Sequence, residues 1–130
     1  AKRGTETILL VEDELDLRDL TRRILERAGY TVLTAATSEA ALATLAGTAT
    51  PVQLVISDIV MPGLSGMYLR TELQRTRPGT RVLLVSGYTD DLFMSSPDLR
   101  EGTFFLQKPF TPQALLTKIR QALDSPDAVA

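Results

Sequence analysis

Five side chains have the types and positions to do chemistry together. Glu12 and Asp13 follow the apolar run TILLV at 7–11, and Asp58 follows VQLVIS at 52–57. Ser86 ends RVLLVS at 81–86, and Lys108 follows TFFLQ at 103–107. Each stands at the carboxyl end of a short apolar run. Singly, each has a plainer explanation: a helix cap for Glu12 and Glu14, a turn for Ser86, a solvated surface for Lys108. Jointly, three acids, a hydroxyl and an amine exceed what capping alone would place there. Two carboxylates about 4 Å apart repel by roughly 4 kcal/mol at an effective dielectric of about 20. Lys108 relieves part of that repulsion and a divalent cation relieves more. Only oxygen donors are on offer, so the expected ion is hard, and Mg²⁺ with several retained waters fits best. A cation, an ammonium and a hydroxyl around one carboxylate make a seat for a phosphoryl group, which a carboxylate can itself accept.

Other chemistries are excluded by what is missing. The 130 residues include no Cys and no His. Thiolate nucleophiles, cysteine zinc sites and imidazole acid–base catalysis are therefore out. The balance of 14 basic and 16 acidic residues, net charge -2, argues against a nucleic-acid binder. No run approaches the roughly 18 apolar residues of a membrane span, and no signal-peptide pattern opens the chain. A cytoplasmic location is the expectation.

Five apolar runs at 7–12, 31–36, 52–57, 81–86 and 103–107 read as strands covered on both faces, as in a parallel sheet. Helical patterns fall between them. Residues 14–28 place Leu17, Leu20, Ile24 and Ala28 at spacings of three and four, predicting one buried stripe. Gly29 is the expected stop. Ser38 precedes an Ala-rich helix running to about Ala46, and a third helix covers 64–76. A short fourth helix is expected near 88–95, before Pro97, and the last opens at Thr111-Pro112. The alternation predicts one α/β domain over 7–124 with helices on both faces of the sheet, between tails at 1–6 and 125–130. In such a sheet ligands sit beyond the carboxyl ends of the strands, where the five residues fall.

The motifs VEDE at 11–14, SDIVMPGLSG at 57–66, VSGY at 85–88 and LQKPF at 106–110, in this order and spacing, resemble the receiver domains of bacterial two-component response regulators. The resemblance implies a flavodoxin-like, doubly wound five-stranded parallel sheet of order 2-1-3-4-5. It implies that Asp58 accepts a phosphoryl group from a histidine kinase or phosphotransfer domain. Glu12, Asp13, Asp58 and the carbonyl of Val60 would hold Mg²⁺, while Lys108 and Ser86 contact the phosphoryl oxygens. Ser86 and Phe105 would form the switch, altering a face made by the fourth helix, fifth strand and last helix where a downstream protein docks. Ser86 stands where Thr is frequent, and Phe105 lacks a phenolic oxygen. Val60 and Tyr88, at positions that tune phosphoryl lifetime, predict slow autodephosphorylation. SGYTDD and GTETILLVEDE look like receivers at the C-terminus of hybrid sensor histidine kinases, with a stand-alone regulator as the rival. Two other readings compete. One is a pseudo-receiver that only docks. The other is a Mg²⁺-dependent aspartyl phosphatase, disfavoured because Val60 stands where such enzymes carry a second Asp.

Overall fold

The computed structural model describes residues 4–59, 63, 65–86 and 103–125. Five strands, β1 Thr7–Val11, β2 Thr31–Ala35, β3 Leu54–Asp58, β4 Arg81–Ser86 and β5 Thr103–Gln107, form one parallel sheet of order β2-β1-β3-β4-β5. The helices are α1 Leu15–Arg27, α2 Ser38–Gly47, α3 Gly66–Thr76 and α4 Pro112–Asp124. The expected helix near 88–95 lies outside the described residues.

Side-chain alternation divides the core into two layers. Leu9, Val11 and Val55 join Leu45 of α2 and Leu69 and Leu73 of α3 on one face. Ile8, Leu10 and Ile56 join Leu25 of α1 and Leu115 and Ile119 of α4 on the other. Because successive strand residues point to opposite faces, an unbroken apolar run is what a sheet covered on both sides requires. The central strands β1 and β3 are buried throughout, whereas β2, at the sheet edge, buries only Ala35.

Local structure departs from the sequence reading in two places. In α1 the buried residues are Thr21 and Leu25, flanked by half-buried Leu17 and Ala28, while Leu20 is 56% exposed. The stripe therefore runs through 17, 21, 25 and 28. Counting only apolar types missed the buried Thr21 and shifted the phase by about one residue. In α2 the cap is Thr37, which accepts from the Ala40 amide at 3.0 Å. Ser38 is already helical, and its buried hydroxyl donates to the Ser65 carbonyl at 3.3 Å.

The segment before β1, expected as a tail, is packed from residue 4 onward. Gly4 donates to the Ala28 carbonyl and lies against the Tyr30 ring, where a Cβ would come within 1.9 Å of a ring carbon. Glu6 pairs with Arg120 of α4 at 2.8 Å.

Candidate functional site

Sheet register brings the polar residues together. Val11 pairs with Ser57, so the next residues along, Glu12 and Asp58, leave adjacent strands side by side. Asp58 pairs with Val85, and Ser86 with Gln107, which puts Lys108 one step beyond the same rim. Parallel strands ending in register deliver their next side chains to one edge, the ligand edge of an open α/β sheet.

The result is a compact charged cluster. Glu12, Asp13 and Asp58 each offer a carboxylate oxygen, and these oxygens lie within 4.8 Å of one another. Glu12 and Asp58 are buried and Asp13 is exposed. Lys108 Nζ stands 2.8 Å from Asp58 Oδ1, with the lysine side chain 36% exposed and the aspartate 10%. Burial pushes the Glu12 carboxyl up to about 7, helped by its contact with Asp58 and the charges of its neighbours. Burial pulls the Lys108 ammonium the other way. Its hydrogen bond to Asp58 and the charges of Asp58, Glu12 and Asp13 outweigh that, and the ammonium sits above its ordinary value.

The side-chain capping reading does not hold for Glu14, nor the merely solvated reading for Lys108. Glu14 is the N-cap of α1, yet among the described residues its side chain makes no capping bond; instead its amide donates to Glu12 Oε2 at 3.1 Å. Lys108 is paired rather than merely solvated. The Lys108–Pro109 peptide bond is cis.

Two residues that sequence reasoning passed over shape the backbone under Asp58. A Cβ on Gly66 would fall 2.1 Å from the Asp58 carbonyl oxygen, so only glycine lets α3 start this close to the end of β3. Its amide donates to the Ile59 carbonyl at 2.9 Å. Ser57, fully buried, donates to the Asp58 carbonyl at 2.9 Å. The glycine in SDIVMPGLSG was visible, but its role depends on a contact between two elements.

Phe105 is half-buried on β5 and packs against the core layer beneath α2 and α3. Ser86 ends β4 opposite Gln107 in the register. Val60 and Tyr88 lie outside the described residues.

Residues 8–120 match the response regulator receiver domain family. The chain belongs to that family. Among its relatives, the sensor kinase CckA of Brucella abortus is 38% identical over 124 residues, 95% of this receiver and 13% of the kinase. The C4-dicarboxylate transport transcriptional regulatory protein DctD of Rhizobium meliloti is 35% identical over 117 residues, 89% of this receiver and 25% of that protein. The receiver thus spans a quarter or less of these two relatives. Among solved structures, a receiver domain protein from Clostridium thermocellum superposes with a TM-score of 0.83 at 32% identity, covering 92% of this chain and 94% of that one. The receiver domain of the hybrid histidine kinase CckA superposes at 0.76 with 31% identity, covering 91% and 99%. The receiver fold and its two-component signalling class follow from these matches. Among the described residues no helix is long and apolar enough to cross a membrane.

The donor set at the rim fits a hard divalent cation. It is all oxygen and carries excess negative charge.

Proposed function

We propose that this receiver takes a phosphoryl group on Asp58 from a phosphohistidine, in a reaction that needs Mg²⁺. The observation that carries the reading is the convergence of three carboxylates within 4.8 Å with Lys108 2.8 Å from Asp58. Glu12, Asp13 and Asp58 would hold the ion, which when bound supplies positive charge opposite the phosphoryl oxygens. An Asp58 carboxylate oxygen attacks phosphorus while the phosphorus–nitrogen bond breaks. The nitrogen keeps the bonding pair and takes up a proton. Lys108 releases part of its hold on Asp58 and pairs with the oxygens of the transferred group, so the same ammonium serves both states. Ser86 is assigned to the phosphoryl group and Phe105, half-buried on the edge strand β5, to the switch.

The donor is a histidine kinase or phosphotransfer domain, since the chain itself has no His. A shallow apolar groove lined by Leu17, Pro109 and Phe110 opens beside Lys108, and Leu15, one residue after Glu14, is 65% exposed. That surface suits an apolar helix face carrying the phosphohistidine. The parent protein is proposed to be a hybrid kinase, on the resemblance to CckA.

Incubation with acetyl phosphate and Mg²⁺ should add the mass of one phosphoryl group, and Asp58→Ala should abolish the gain. No gain in the parent protein, or a gain that persists in the variant, rejects the assignment.

A further inference from the structure

The turn between β1 and α1 carries Glu12, Asp13 and Glu14 in succession, three like charges on backbone that belongs to neither element. The Glu12 amide donates to the Ala35 carbonyl at 3.0 Å, and a second bond reaches the turn from α1. Arg18, half-buried in the first turns of α1, sends its guanidinium back six residues, and Nη1 donates to the Glu12 carbonyl at 2.8 Å. The position is unexpected for a cation, because the amino end of a helix favours negative charge. The other arginines nearby on α1 are engaged along the helix: Arg22 with Asp19 and Glu26, Arg23 with Asp19. Arg18 instead ties the helix to the acidic turn.

We infer that Arg18 is a positioning residue for the acidic pair: its bond to the Glu12 carbonyl fixes the peptide that aims Asp13, and so sets the affinity of the rim for a divalent cation. The inference rests on the proposed Mg²⁺ site. The bond holds the Glu12–Asp13 peptide from one side while the Glu14 amide, donating to Glu12 Oε2, holds the Glu12 carboxylate from the other. Asp13 is exposed, so its direction depends on that peptide more than on packing. Simple electrostatics predicts the opposite effect, since removing a cation from beside the site should tighten binding of another.

The test is Mg²⁺ titration by calorimetry on the parent protein, Arg18→Met and Arg18→Lys, with unfolding midpoints measured in chelator. Methionine keeps the packing of the stem and removes the donor; lysine keeps a charged donor. Loss of a residue that orients a metal ligand costs about 10- to 100-fold in affinity. Arg18→Met should therefore bind at least tenfold more weakly and Arg18→Lys at an intermediate level, with chelated midpoints close to the parent's. The Mg²⁺ concentration that half-saturates acetyl phosphate reactivity should rise by the same factor while the saturated rate is kept. Unchanged or tighter binding in Arg18→Met overturns the inference. So does weaker binding matched by a collapse of the chelated midpoint in both variants. A parent protein that binds no Mg²⁺ instead overturns the proposed site itself.

Discussion

The molecule holds two ionic clusters of opposite character. On α4, Arg120 donates to Glu6 through Nη1 and Nη2, at 3.1 and 2.8 Å, to Asp124 at 2.7 Å, and to the Tyr30 hydroxyl at 3.3 Å. The Arg120 guanidinium holds the Glu6 carboxyl down at about 2. At the rim of the sheet, three carboxylates share one lysine, and the Glu12 carboxyl is pushed up to about 7. The first cluster is satisfied by the chain's own groups and fastens the segment before β1 to the last helix. The second sets three carboxylates against one ammonium among the described residues. Perturbation of a carboxyl does not by itself mark a site, since internal ion pairs perturb carboxyls as well.

Four variants and two solution conditions would break or sharpen that contrast. The largest effect is expected from Lys108→Met, which removes the only cation shown paired to Asp58 among the described residues. Its acetyl phosphate reactivity should fall about a hundredfold or more, by analogy with losing one donor to a developing oxyanion. A rate within a few-fold of the parent would make Lys108 a structural partner only. Gly66→Ala should destabilise by about 1–3 kcal/mol in urea, because its Cβ cannot share space with the Asp58 carbonyl. It should also slow phosphorylation, linking the backbone under Asp58 to its chemistry.

Mg²⁺ at a hundredfold excess over its dissociation constant should raise stability by about 2.7 kcal/mol. Chelation should reverse the gain and Asp13→Asn should diminish it, while Arg120→Met should leave it intact. In its own right Arg120→Met should cost about 1–2 kcal/mol, the range for charged hydrogen bonds discounted for partial exposure. The smallest effect concerns acid. Because folding lowers the Glu6 value from 4.5 to about 2, its contribution is present above pH 4.5 and fades as pH falls toward about 2. Urea midpoints across that window should decline less steeply in Arg120→Met than in the parent.

Legibility from sequence differed between the clusters for a physical reason. Glu12, Asp13, Asp58 and Lys108 could be grouped because a parallel sheet sends all its strand ends to one edge, so recognising the strands was enough. The Glu6–Arg120 clasp joins residues 114 apart with no motif between them. Its existence depends on where α4 lands on the sheet. The same holds for the phase of α1, where Thr21 is buried and Leu20 exposed because the neighbouring surface, rather than side-chain type, decides which face is covered.

The sequence by itself determined the alternation of strands and helices, the sheet covered on both faces, and the residue types that meet at its rim. Periodicity and spacing are local properties, and they survive in a linear string. Only the tertiary structure decided the Lys108–Asp58 pairing distance, the closeness of Gly66 to the Asp58 carbonyl, and the reach of Arg18 back to the Glu12 turn. Those are contacts between elements, and their geometry is set by packing of the whole core.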